Sequence, residues 1–354
     1  MQVIFYYSDI AKGLPGVTGC PFCHFEQSRE IYPYNTLIMK RILSALLALT
    51  LAIPAFSQTR MSFNRKGEFK IVQFTDVHYI PDDPRSDIAL ERIREVLKVE
   101  KPDLVVFTGD VACGKPADKA METVMRLVSE RKIPFAFTFG NHDKEFGFSN
   151  EELYDLIHTI PYNMLPPRDG GCIDFEIELT GRDGHLVNVL YMIDSQSYCW
   201  EKDQYEWILP EQIERFRKVS ADYTDANGGT PVPSLAFFHI PLPEMGLAAE
   251  DQRTPLWGTR MERACPPVHN SGMFRAMADC GNILAIFNGH DHDNDYVVKY
   301  GGIYMCYGRY TGGNTVYNHL PNGARIILLK EDRPGFETWI TLKGGQRINR
   351  MTLQ

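Results

Sequence analysis

The 354-residue chain has no apolar run of comfortable membrane-spanning length; its longest, Ile42 to Ile53, falls short of the ~20 residues a span requires. Basic charge is also scarce. A formal charge of −8 and a pI near 5.7 exclude a broad cationic face for nucleic acid or anionic membrane. A phosphate ester stays open as a substrate, because bound divalent cations reverse the local field of an acidic protein. Paired zinc-finger cysteines are missing after residue 58, as are internal repeats, coiled-coil heptads and low-complexity tracts. What is there, 44% hydrophobic and 23% charged residues, is ordinary for a globular chain.

The N-terminal region reads as a targeting signal placed inside the chain. Met39-Lys40-Arg41 supplies a basic start, Ile42–Ile53 an apolar stretch, and Ala55-Phe56-Ser57 small residues at the positions a signal peptidase reads, so cleavage is expected before Gln58. Translation is then expected to start at Met39, with residues 1–38 a non-native extension, 39–57 the signal peptide and 58–354 a single catalytic domain. The protein is expected to be exported, periplasmic or extracellular, the alternative being a retained N-terminal anchor. Cys20-Pro21-Phe22-Cys23-His24 matches a haem-attachment spacing but precedes the export signal, and is read as chance. Cys113, Cys172, Cys199, Cys265, Cys280 and Cys306 are left in the mature part and could form disulfides whose pairing the sequence does not reveal.

From Gly67 onward, short apolar runs alternate with helical patterns, which predicts an α/β domain. Strands are expected at 69–74, 104–107, 134–139, 174–179, 186–193, 234–238 and 283–288. Helices are expected from an N-cap at Ser86 to Lys101, near 120–128, near 210–220 and near 271–279. Apolar stretches at 296–307, 324–330 and 336–342 suggest an antiparallel finish, while 144–172 and 240–272 read as long loops able to shape a cleft.

Each central strand ends in residues that bind metal or move protons. Asp76-Val77-His78 follows the first, Gly109-Asp110 the second, Gly140-Asn141-His142-Asp143 the third, and His239 and Gly289-His290-Asp291-His292 two later ones. Singly, each fragment reads as turn chemistry. Together, five such fragments at the carboxyl ends of strands should converge on one crevice. Carboxylate and imidazole without thiolate suits Zn, Fe or Mn, and seven ligands exceed what one tetrahedral ion uses, which points to two ions.

D-x-H, G-D, G-N-H-D, a lone H after a strand and G-H-x-H together resemble the calcineurin-like metallophosphoesterases, across essentially all of 66–354. His239-Ile240-Pro241-Leu242-Pro243-Glu244 and the segment Gly289–Tyr296 resemble the single-domain subgroup related to purple acid phosphatases. The resemblance implies a four-layer α-β-β-α sandwich of two mixed sheets flanked by helices. It also implies that Asp76, His78 and His292 hold one metal, Asp110 bridges, and Asn141, His239 and His290 hold the second. The cofactors would be two divalent or mixed-valence ions of Fe, Zn or Mn. His142 would contact the phosphoryl group or protonate the leaving oxygen, with Asp143 orienting it.

The implied reaction is hydrolysis of a phosphomonoester by a hydroxide that the metals activate, on a phosphorylated small molecule or phosphoprotein. Cleavage of a phosphodiester or nucleotide pyrophosphate is the alternative, and a non-catalytic metal- or phosphate-binding protein a further one. Cys113 stands where purple acid phosphatases carry a tyrosine ligand, so a colourless protein is expected. Arg168, Arg253, Arg260 and Arg309 are candidate phosphate contacts, and Trp200, Trp207 and Trp257 candidate stacking residues. Gly312-Gly313-Asn314 reads as a structural turn.

Overall fold

The computed structural model describes residues 59–168, 173–199 and 204–354. The expected signal segment, the Cys20–His24 motif, Cys172 and Trp200 lie outside these residues. Among the described residues no helix is long and apolar enough to cross a membrane.

Two mixed sheets carry the fold. In the six-stranded sheet the order is Arg347–Leu353, Phe336–Leu342, Gly323–Lys330, Glu68–Phe74, Leu104–Thr108, Phe135–Thr138. Its last three strands run parallel, and the first three add an antiparallel wing. The eight-stranded sheet has a parallel centre, Leu186–Met192, Ser234–Phe237, Ile283–Asn288 and Ile303–Tyr307. Leu104–Thr108 and Phe135–Thr138 are buried at every position, as expected of parallel strands covered on both faces.

The two sheets share one apolar core. Phe74, Phe107 and Phe137 of one and Leu190, Phe237 and Phe287 of the other lie in the same buried cluster, and Phe287 meets Phe336 edge-on across the gap, with ring centroids 5.6 Å apart. Helices Asp87–Glu100, Ala117–Ser129 and Asn150–Thr159 pack their buried residues into that cluster. Helices Pro210–Ala226 and Met273–Cys280 cover the other sheet through a second cluster that includes Ile213, Phe216, Phe274 and Met277. This is the four-layer sandwich that the resemblance implied.

Several local readings change. Ser86 stands at the N-cap of the helix that starts at Asp87, as read from sequence, but its side chain makes no capping bond: it also closes a 3-10 turn at Pro84–Ser86, and its hydroxyl bonds the backbone of Ile80. The apolar stretch at 296–307 is a hairpin, broken where Gly301 and Gly302 take positive φ. The long loop after residue 143 contains a helix with a complete capping box between Ser149 and Glu152. Strand Arg347–Leu353 was missed because it is a mostly solvent-facing edge with arginines at 347 and 350. The five described cysteines are free thiols, so no disulfide forms among the described residues.

Glu100 locks the antiparallel wing to the first helix. Its buried Oε1 accepts hydrogen bonds from Thr341 Oγ1 at 2.7 Å, Arg347 Nε at 2.9 Å and Trp339 Nε1 at 3.2 Å. Burial works to raise its pKa, but these donors and the Arg347 charge outweigh it and hold the carboxyl below the usual glutamate value. A depressed folded-state pKa contributes stability above the unfolded-state value, lost as pH falls through the folded one. Glu100→Gln is therefore expected to cost about 1.5–3 kcal/mol at neutral pH. In urea denaturation the gap from wild type should narrow below the glutamate range; a gap independent of pH would contradict the account.

Candidate metal centre

Six of the seven predicted ligands, Asp76, His78, Asp110, His239, His290 and His292, form two buried groups beyond the carboxyl ends of the parallel strands, and Asn141 follows Gly140, whose backbone abuts Asp110. The loops are stitched by backbone hydrogen bonds: Asp76 N donates to Gly109 O, His78 N to Asp110 O and Tyr79 N to Val111 O. On the other flank, Gly312 N donates to Asp76 O, which gives the Gly312-Gly313 turn the structural role read from sequence. Asp76, His78, Asp110 and His290 all adopt positive φ, between 45° and 81°. Such backbone costs non-glycine residues about 1–3 kcal/mol each and persists only where surrounding structure enforces it.

Glycine makes the close approach possible. A Cβ on Gly140 would overlap Asp110, and one on Gly289 would overlap the Thr75 hydroxyl. Gln73 ties the two sheets behind the site, its Nε2 donating to Thr108 Oγ1 at 2.9 Å and to Asn288 O at 3.0 Å.

The side chains form two buried groups able to hold an ion, Asp76 with His78 and His292, and Asp110 with His239 and His290. Asp110 stands between them: its Oδ2 lies 3.1 Å from His239 Nε2 and 3.6 Å from His78 Nε2. Three observations show that these residues fit metal ions. First, Nδ1 of His239 donates to Thr108 O and Nδ1 of His292 to Tyr317 O, both at 2.8 Å, which leaves each Nε2 with a lone pair aimed into the cluster. Second, His78 Nε2 and His292 Nε2 face each other at 3.1 Å. Third, Asn141 Oδ1 is buried with no hydrogen-bond partner.

The electrostatics agree. Burial, reinforced by neighbouring imidazoles, holds His78 and His290 well below the usual histidine value, in the neutral form that ligation needs. Burial also opposes charge on His239, yet Asp110 and Asp76 lift it to about 10. A buried anion here demands a cation, and a proton on His239 occupies the place a metal charge would take.

His142 sits beside the clusters and, unlike them, is partly exposed, its side chain 32% accessible. Its partner differs from the sequence reading. Nδ1 lies 2.8 Å from Glu145 Oε2, three residues on along a 3-10 turn, and not on Asp143. Asp143 is turned inward, its carboxylate accepting backbone N–H bonds from Asp110, Val111, Ala112 and Gly140 at 2.8–3.0 Å. It shapes the loops instead of orienting the imidazole.

The candidate arginines are committed elsewhere. Arg168 pairs with Asp155, Arg253 with Asp251, Arg260 with Ala249 O and Glu250, and Arg309 is buried against Asp295. Trp207 packs on His269, and Trp257 stands partly exposed. Cys113 is a free thiol that burial, with Asp110 nearby, pushes up to about 11 and so keeps protonated.

Four tyrosines around the site escaped the sequence reading. Tyr317 stacks on His292 and Tyr205 meets His290 edge-on, each with ring centroids 4.5 Å apart, while Tyr310 lies 4.9 Å from His292. Tyr198 Oη is 2.7 Å from Asn141 Nδ2 and 3.3 Å from His142 Nε2. Only Tyr198-x6-Tyr205, two tyrosines on the paired strands Tyr198–Cys199 and Gln204–Tyr205, carried any local signal.

The chain is 32% identical over 344 residues to an Arabidopsis thaliana protein named a probable inactive purple acid phosphatase, covering 84% of this chain and 86% of that one. It is 30% identical over 330 residues to the Saccharomyces cerevisiae phosphatase DCR2, covering 81% of this chain and 56% of that longer one. A solved dimetal phosphatase from Danio rerio superposes with a TM-score of 0.56 at 13% identity, over 81% of this chain and 98% of that one, a likeness of fold. The model of the calcineurin-like phosphoesterase family matches residues 69–294. That match takes in every ligand candidate from Asp76 to His292, so the two clusters indicate a binuclear metal centre and the chain belongs to the calcineurin-like phosphoesterase family.

Proposed function

We propose that the protein hydrolyses phosphomonoesters, with Asp76, His78 and His292 holding one ion, Asn141, His239 and His290 the other, and Asp110 shared. The observation that carries this reading is the pair of buried ligand groups meeting at Asp110 with a partly exposed imidazole, His142, beside them. Two bound ions would supply Lewis acidity, lowering the pKa of water and neutralising charge on phosphoryl oxygens.

The chain's own residues do the rest. His239 and His292 keep their Nε2 lone pairs inward because backbone carbonyls take their Nδ1 protons. His142 would contact the phosphoryl group or hand a proton to the leaving oxygen, and Glu145 fixes its ring by accepting from Nδ1. The other ring nitrogen, Nε2, lies within reach of the Tyr198 hydroxyl.

The name of the Arabidopsis relative favours a second reading, a protein that binds metal and phosphate without turnover. The presence of all seven ligand candidates together with His142 supports catalysis, since a binding role does not need a proton-handling imidazole. Purified protein lacking residues 1–57, loaded with Mn or Zn, is expected to hydrolyse a generic aryl phosphate monoester faster than the diester. No turnover with any metal would sink the enzymatic reading, and a preference for the diester would favour the alternative reaction.

Asp110→Asn is expected to lose metal and activity together. His142→Ala should keep both ions by elemental analysis while kcat falls roughly 10²–10⁴-fold, and Glu145→Gln should lower kcat about 10–100-fold. Equal metal loss in the Asp110 and His142 variants would contradict the division of roles. Export is part of the same proposal: mature protein recovered from outside the cytoplasm should begin at Gln58 by N-terminal sequencing, and a start upstream of Met39 would refute it.

A further inference from the structure

Asn141 is an awkward ligand, because its side-chain amide has an oxygen that can bind a cation and a nitrogen that cannot. Something must decide which end faces the metals. The strands of the hairpin Tyr198–Cys199 and Gln204–Tyr205 lie against this part of the site. Ser197 Oγ donates to Asn141 O at 3.0 Å, and Tyr205 packs edge-on against His290. The Tyr198 hydroxyl lies 2.7 Å from Asn141 Nδ2, on the side of the amide away from the partnerless Oδ1.

The same hydroxyl is 3.3 Å from His142 Nε2, and His142 Nδ1 is engaged by Glu145. The donors can be assigned in one direction without conflict. Asn141 Nδ2–H donates to the phenol oxygen, the phenol O–H donates to His142 Nε2, and His142 Nδ1–H donates to the Glu145 carboxylate. If His142 is protonated on both nitrogens, its Nε2–H donates to the phenol instead, and a phenol lone pair still remains for the amide. In either state the amide nitrogen is drawn to Tyr198 and the oxygen is left buried without a protein partner.

We infer that Tyr198 is a positioning residue of this centre: its phenol oxygen fixes the Asn141 amide with the oxygen toward the second ion and couples that amide to His142. The inference rests on the binuclear reading proposed above and assigns a function to a hairpin that none of the ligand motifs includes. It acts through Asn141 and His142, and partners of this kind typically change metal affinity or activity 10–100-fold when removed.

The test compares full-length wild type, Tyr198→Phe and, as a control, Tyr205→Phe, all loaded with Mn and dialysed against graded chelator. Phenylalanine keeps the ring packing, so folding is expected to survive. Tyr198→Phe should release one ion at roughly 10–100-fold lower chelator while the other is held as in wild type, and kcat should fall with KM unchanged. Tyr205→Phe should match wild type in both. A second measurement places Tyr198→Phe in an Asn141→Asp background, where two equivalent oxygens make amide orientation irrelevant and the metal-retention effect should vanish.

Retention of both ions by Tyr198→Phe at every chelator concentration would overturn the inference, as would an equal effect in the Asn141→Asp background. Because metal retention does not depend on turnover, a wild type inactive on every ester would remove the phosphatase reading and leave this test intact.

Discussion

The centre depends on one buried carboxylate that touches none of the candidate ligand side chains. Asp143 accepts four backbone N–H bonds, from Asp110, Val111, Ala112 and Gly140, and so pins the loop after the second parallel strand to the loop after the third. Burial, with Asp110 nearby, pushes this carboxyl up to about 7, and the four amide dipoles work against that cost by satisfying its lone pairs, so that their positions are no longer free. The same device recurs around it: His142 N donates to Asp110 Oδ1, and His290 N to the Asp76 carboxylate. Carboxylates hold the amides of Asp110 and His290, and backbone carbonyls those of Asp76 and His78, which keeps these four residues at positive φ.

This architecture separates rigidity from chemistry. The ligand clusters sit in a nearly solvent-free pocket where His78 and His290 are kept neutral and Asp110 stays anionic, which suits cation binding. His142 stands at the edge, with Glu145 and Tyr198 on its two nitrogens, accessible to a ligand arriving from solution. The candidate arginines all pair with carboxylates or backbone. The surrounding tyrosine rings give the rim an apolar, polarisable character.

Cys113 marks the point where this chain departs from the purple acid phosphatases it resembles. A tyrosine there would place a phenol at the metals, whereas the thiol is partly buried and held in its protonated form. A phenol does reach the neighbourhood, but from the hairpin at Tyr198, and it meets the amide of a ligand and the imidazole of His142. Position in the chain and position in the site are thus decoupled for this group.

The amino-acid sequence by itself determined the α/β class and singled out the six residues that the fold gathers into two buried groups. Metal-binding residue types at the ends of apolar runs carry their own chemical signature, and parallel strands covered on both faces must be written as continuous apolar stretches. Strand Arg347–Leu353, the capped helix Asn150–Thr159 and the partner of His142 were decided by tertiary structure. An edge strand has little apolar pattern, and a short helix hides within a long loop. As for His142, whether its ring meets Asp143 or Glu145 depends on which carboxylate the backbone amides have already claimed. The role of Tyr198 was least legible of all, because a hydrogen bond between residues 57 positions apart leaves no spacing in the chain and exists only once the hairpin docks on the third loop.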